Sequence, residues 1–200
     1  MQAARELGCE VYGLDISPHA CRIARERLGL ESERVRVGEL LDDIWQEARF
    51  DVVSLWDVLE HFDKPVEQIK GARRLLVDHG ILLLETPDDS FFLRRLLRWI
   101  TNHTGGRVRT DRYFYYEVHL AYFNPVTIRT LLGKTGFRIR SYYRAGTVRK
   151  KQIASMRHWY RPGLRWALMM LRSDFLCAVF LRNKMIITAV VNNAVLMSNK

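Results

Sequence analysis

One stretch constrains the fold of this chain more than any other: Phe50-Asp-Val-Val-Ser-Leu-Trp-Asp-Val-Leu-Glu-His-Phe-Asp-Lys-Pro65. Val52 to Leu55 form a short, mostly apolar run rich in β-branched residues, long enough for a strand and too short for a helix. The run ends abruptly on polar groups, Asp57, Glu60, His61 and Asp63. Pro65 then opens an amphipathic helical pattern of Val66, Ile69, Ala72, Leu75 and Leu76. A buried strand that stops at a carboxylate and turns into a helix is the repeating unit of a doubly wound α/β sheet. In such sheets ligands bind outside the carboxyl ends of the strands. The sequence therefore places its chemistry between Asp57 and His61.

The same unit recurs on both sides. Met1 to Leu7 reads as the tail of a helix stopped at Gly8, and Glu10 to Asp15 as a strand ending on an acid. Ser17-Pro18 is a cap followed by proline at the first helical position, and that helix runs to Gly29. Val35 to Val37 is a short strand followed by Gly38-Glu39, and Gly80 to Glu85 is a buried strand closed by Thr86-Pro87, with His79 before it as a turn residue. This order implies a mainly parallel sheet with right-handed crossovers. Phe91 to Ile100 has the pattern of a basic amphipathic helix. A polar loop from Thr101 to Arg112 and an aromatic cluster, Tyr113 to Tyr116, follow it. Asn124-Pro125 starts a further helix, which stops near Gly133 to Gly136. Phe137 to Tyr143 alternates as a strand with one exposed face, and Met185 to Val191 is the last strand. Leu164 to Leu181 is a long apolar helix candidate. Arg165, Arg172 and Asp174 interrupt it, so it is not a clean transmembrane span.

Composition bounds the partners. Two hundred residues, 48% apolar and 27% charged, fit one ordinary globular domain with a small appendage. Cys9, Cys21 and Cys177 have no metal-ligand or CxxC spacing, which predicts reduced thiols, and no signal peptide is expected; both point to the cytoplasm. Residues 1–100 carry 14 Lys/Arg against 19 Asp/Glu, a net of −5, whereas residues 101–200 carry 18 against 3, a net of +15. A basic back half faces something anionic. Trp159, Tyr160 and Trp166 mingle there with Arg157, Arg161, Arg165 and Arg172. Together with the Phe91 to Ile100 helix they predict peripheral contact with an anionic membrane. The competing expectation is a substrate lid whose arginine stems cover apolar surface. Nucleic acid is disfavoured, because no recognisable binding motif accompanies the basic residues.

These landmarks, in this order and spacing, resemble the class I S-adenosylmethionine-dependent methyltransferases, nearest to the group that includes ubiquinone-biosynthesis and sugar or lipid methyltransferases. The resemblance rests on Val11 to Ser17, Gly38-Glu39, Phe50 to His61, Gly80 to Pro87, His119 to Pro125 and Leu131 to Phe137. It implies an α/β, Rossmann-like sheet, mostly parallel with an antiparallel strand near the carboxyl end and extra helices over one end. The core is residues 1–143 with 184–191, with a substrate lid at 88–123 and a basic, aromatic and apolar helical appendage at 144–183. The implied cofactor is S-adenosylmethionine. Asp15 matches the acid that bonds the ribose hydroxyls, a job for which a carboxylate can accept two hydrogen bonds. Ile16 would pack on the adenine, with Glu39 near its edge and Leu40 as an apolar contact. Trp56 and Asp57 would face the methionine part and the substrate. The family's first strand and its glycine-rich loop have no counterpart in the sequence, so an N-terminally truncated form is expected.

The implied reaction moves a methyl group to a small-molecule, lipid-like or saccharide acceptor. His61 and His119 are the candidate bases, since imidazole titrates near neutrality. Glu60 and Glu117 are placed to orient a base or bind a metal. No cluster has the pattern of a metal centre, and no metal is expected. Two alternatives fit the same residues. One is a non-catalytic remnant that binds a membrane surface or a protein. The other is an NAD-dependent oxidoreductase, because a strand-terminal acid also holds NAD ribose.

Overall fold

A computed structural model describes residues 1–42, 44, 45, 47–105, 119–145 and 184–192. The predicted strand–helix units form where local chemistry dictates them. Helix α1 (Gln2–Glu6) leads into strand β1 (Gly13–Asp15). Helix α2 (Pro18–Leu28) starts where the Ser17 hydroxyl accepts from the Ala20 N–H and ends on Gly29 at φ +58, a left-handed cap that favours glycine. Strand β2 (Val35–Val37) returns parallel to β1. The buried Cys21 of α2 packs between them, with its thiol 3.2 Å from the Arg36 carbonyl.

Strand β3 (Phe50–Trp56), a 3-10 turn at Leu59–His61 and helix α3 (Pro65–Leu75) follow as expected. Strand β4 (Leu76–Pro87) begins four residues earlier than the Gly80 start read from the sequence. Its first residue pairs with Phe50, a shift of register follows, and Ile81 pairs with Val52. His79, at φ +65, carries the irregularity between the two stretches. Helix α4 (Phe92–His103) and helix α5 (Pro125–Lys134) come next. A reciprocal cap between Asn124 and Thr127 starts α5. Strands β5 (Phe137–Ala145) and β6 (Lys184–Val191) close the chain.

The strands form a two-stranded sheet, β1-β2, and a four-stranded sheet in the order β3-β4-β6-β5. β3 and β4 are parallel, and β6 runs antiparallel to both β4 and β5. The core of the larger sheet joins Leu82 and Leu84 of β4 and Met185, Ile187 and Ala189 of β6 to Ile69, Ala72 and Leu75 of α3 and Ile128 and Leu132 of α5. Each fully buried aliphatic side chain contributes about 1.5–3 kcal/mol.

The sequence predicts a buried strand at Phe50 to Leu55, and here the structure differs. Only Leu55 of β3 is buried, and Val52 is 48% exposed. β3 is an edge strand: among the described residues nothing pairs with its outer side, nor with the outer side of β1. The two sheets meet instead through aromatic rings, with Tyr12 5.3 Å from Phe50 and Trp45 5.4 Å from Phe50 between ring centroids. These rings join the amino ends of β1 and β3. The predicted aromatic cluster at Tyr113 to Tyr116, Glu117, the helix at Leu164 to Leu181, and Cys177 fall outside the described residues, as does nearly all of the 144–183 appendage. Among the described residues no helix is long and apolar enough to cross a membrane.

Candidate active site

The site grows from the carboxyl ends of β1 to β4. β1 ends on Asp15, whose Oδ1 accepts from the Ser17 N–H at 2.8 Å. Its other carboxylate oxygen has no hydrogen bond among the described residues. The Asp15 carbonyl accepts from the Gly38 N–H at 3.1 Å, which joins the ends of β1 and β2. Ile16 projects beside it, 71% exposed. Glu39 follows Gly38 and accepts from Gln68 of α3 at 2.8 Å, while Leu40 is buried against α3. The approach is close: a Cβ on Gly71 would lie 2.8 Å from the Leu40 carbonyl oxygen. Four of the predicted cofactor residues, Asp15, Ile16, Glu39 and Leu40, are therefore gathered around one corner.

A second group forms at the ends of β3 and β4. Trp56, 51% exposed, and Asp57 end β3. Asp57 sits at φ +51, a left-handed backbone that side chains other than glycine seldom adopt. The Asp57 N–H bonds the Glu85 carbonyl at 3.0 Å, and Lys184, at the start of β6, donates to the carboxylates of both Asp57 and Glu85, the latter at 2.6 Å. Burial works against the Lys184 charge, but hydrogen bonds and charges from Asp57 and Glu85 outweigh it and hold its pKa above the usual lysine value. Sequence reasoning assigned no role to Lys184, Glu85 or Thr86. Lys184 directly precedes a predicted strand, and nothing local marks it as a partner of a residue 127 positions away.

The third group joins the two candidate bases. Glu60 is 1% exposed, and Thr86 Oγ1 donates to its Oε2 at 2.9 Å. Burial is the main cause that raises its pKa above the usual carboxylate range. The Glu60 carbonyl accepts from the backbone N–H groups of Leu120 and Ala121 at 2.9 and 3.1 Å. That pair of bonds places His119 beside His61, with ring centroids 4.8 Å apart and planes nearly perpendicular. The structure thus unites His61 and His119, which the sequence offered separately. A shallow hollow of about 330 Å³ lined by Arg5, Glu10, Glu31 and Arg34 lies away from all three groups and contains none of their chemistry.

The fold and its strand-end carboxylates define an α/β protein of the class I S-adenosylmethionine-dependent methyltransferase kind. Residues 1–142 match the family model described as a methyltransferase domain. The chain belongs to that family, whose cofactor is S-adenosylmethionine. A ubiquinone biosynthesis O-methyltransferase from Alkalilimnicola ehrlichii is 34% identical over 84 residues, which is 40% of this chain and 33% of that relative. The match thus spans about a third of the relative's length. Among solved structures, a SAM-dependent methyltransferase from Archaeoglobus fulgidus is similar with a TM-score of 0.61 and 15% identity, over 94% of this chain and 79% of that one. The cyclase SpnF is similar with a TM-score of 0.60 and 17% identity, over 96% of this chain and 69% of that one. A cyclase on the same fold shows that architecture alone does not fix the chemistry.

Proposed function

We propose that this chain forms the cofactor-holding and acceptor-facing core of an S-adenosylmethionine-dependent methyltransferase acting on a hydroxyl of a lipid-like small molecule. The observation that carries the proposal is Asp15. It ends a strand beside the exposed Ile16, and its second carboxylate oxygen is open to two neighbouring ribose hydroxyls. Glu39, braced by Gln68, offers an acceptor at the base edge, and Leu40 fixes that loop to α3. When bound, the cofactor supplies an already activated methyl group. The chain's part is to hold the acceptor in line and to accept its proton. Trp56 and Asp57 face the acceptor side, Lys184 holds the Asp57 carboxylate in place, and the proton-accepting function belongs to the Glu60–His61–His119 group.

The test is a titration of S-adenosylmethionine into the full chain and into Asp15→Ala. Losing a hydrogen bond to a charged group costs about 1.5–3 kcal/mol. The variant should therefore bind roughly ten- to hundred-fold more weakly. Equal affinity in the two proteins would remove Asp15 from the site.

The relative's O-methyltransferase name supports an oxygen acceptor. The lipid-like character rests on α4. Leu96 and Trp99 of this helix are 37% and 55% exposed beside the exposed Arg95 and Arg98. Exposed apolar and aromatic groups flanked by arginines suit the headgroup layer of an anionic membrane, from which such an acceptor would be drawn.

A further inference from the structure

We propose that Gln68 is a positioning residue of the cofactor corner: its buried amide holds the Glu39 carboxylate in the orientation from which it recognises the 6-amino group of the cofactor's base. This role rests on the proposed function of that corner and assigns the selectivity for the base to a buried side chain of α3.

α3 buries Gln68, Ala72 and Leu75, at positions i, i+4 and i+7 of one face. Gln68 is therefore a polar residue where the helical pattern calls for an apolar one, and it is only 1% exposed. Its Nε2 donates to Glu39 Oε2 at 2.8 Å, and its Oε1, buried as well, meets no donor among the described residues. A carboxylate accepts, so the amide nitrogen is the atom that faces Glu39 and the oxygen is the atom left without a partner. A buried acceptor without a donor is costly, and a leucine or methionine of similar size would not carry that cost. Glu39 itself does not need the bond, because it is exposed and water can reach it without Gln68. What the amide supplies is orientation.

That orientation is closely defined. Gln68 and Gly71 stand three residues apart on one face of α3. Gly71 admits the Leu40 carbonyl and Gln68 takes the carboxylate of the preceding residue, so the Glu39–Leu40 segment is seated on the helix by its backbone and by a side chain. The Glu39 N–H is held by Asp42 Oδ2 at 2.8 Å. Glu39 Oε1 has no hydrogen bond among the described residues. A fixed, open acceptor suits an exocyclic amino group, which donates, and disfavours a 6-oxo group, which accepts.

The experiment is a calorimetric titration of the full chain with S-adenosylhomocysteine and with S-inosylhomocysteine, its 6-oxo counterpart. The wild type should prefer the amino ligand by about 10–100-fold. In Gln68→Leu and Gln68→Met that preference should fall several-fold through weaker binding of the amino ligand, while the urea midpoint stays equal to or above that of the wild type. In a cycle with Glu39→Ala, adding Gln68→Met should cost no further affinity, because Gln68 acts through Glu39. An undiminished preference in both Gln68 variants, or an additive loss in the cycle, would overturn this role. So would a urea midpoint lowered in both variants, which would make Gln68 a residue of stability alone. A wild type that binds neither ligand overturns the proposed function as well. Binding that is lost in Asp15→Ala, with an unchanged preference in the Gln68 variants, overturns the role of Gln68 and leaves the proposed function standing.

Discussion

Gly71 sits in the middle of α3 with ordinary helical geometry, so helix propensity alone predicts that Gly71→Ala stabilises the protein by about 1 kcal/mol. The packing predicts the reverse. An added Cβ would stand 2.8 Å from the Leu40 carbonyl oxygen, 3.3 Å from its carbonyl carbon and 3.4 Å from its Cβ. The first two are backbone atoms and cannot rotate aside, so either α3 or the loop carrying Glu39 and Leu40 must move. Overpacking of this kind costs about 1–3 kcal/mol. Set against the propensity gain of about 1 kcal/mol, the net expectation is a loss of up to about 2 kcal/mol. The same movement shifts Glu39 away from Gln68 and should weaken cofactor binding. Urea denaturation of both proteins gives the stability difference, and titration of S-adenosylmethionine gives the affinity. A variant that is about 1 kcal/mol more stable with unchanged affinity would refute the close approach of Leu40 to α3 and, with it, the placement of Glu39.

Other expectations follow from the ion pairs and the exposed helix. Lys184 has its folded pKa above its ordinary value of 10.5, through Asp57 at the end of β3 and Glu85 of β4. Its contribution is therefore complete below the unfolded value and lost as pH rises through the folded value. Denaturation midpoints should fall on the alkaline side in the wild type and stay flatter there in Lys184→Met, and an identical alkaline limb in both would count against the bridge. Asp88 is fully buried and bonded by Arg144 at 2.9 Å and by Ser90, whereas Arg144 is 48% exposed. Arg144→Ala leaves a buried charge without its partner and should cost about 3–5 kcal/mol. Asp88→Ala leaves only a cation that water can reach and should cost about 1.5–3 kcal/mol, so the reverse ranking in thermal unfolding would show that Asp88 is not held as described. For α4, Trp99→Ala should reduce co-sedimentation with phosphatidylglycerol vesicles several-fold. Equal sedimentation of the two proteins would exclude this helix as the membrane contact.

Elements set by local chemistry were legible in the sequence. Ser17-Pro18, Gly29 and Asn124-Pro125 mark helix ends through caps that involve only near neighbours, and all three mark ends in the structure. Asp15 at the end of β1 was legible for the same reason. The burial of β3 was misjudged because a run of β-branched residues reports strand character but not how many neighbours the strand has. The early start of β4 was missed because Leu76 reads equally well as the end of α3.

The division between what was legible and what was not follows the two halves of the site. The corner with Asp15, Ile16, Glu39 and Leu40 is built from the ends of the two consecutive strands β1 and β2, and each residue stands at or within three residues of its strand's end, where sequence can point to it. The proposed acceptor side is built by closure. Lys184 reaches Asp57 only because β6 inserts between β4 and β5, and His119 reaches His61 only because the Glu60 carbonyl captures the chain after the α4 excursion. Such contacts depend on strand order and on a backbone clamp, neither of which leaves a local pattern. A fold shared with a cyclase does not by itself fix the chemistry. Under the proposed function, Glu60, His61, His119 and Lys184 are the residues that closure brings in, and substituting them should lower methyl transfer while leaving S-adenosylmethionine affinity nearly unchanged, whereas Asp15→Ala should lower the affinity.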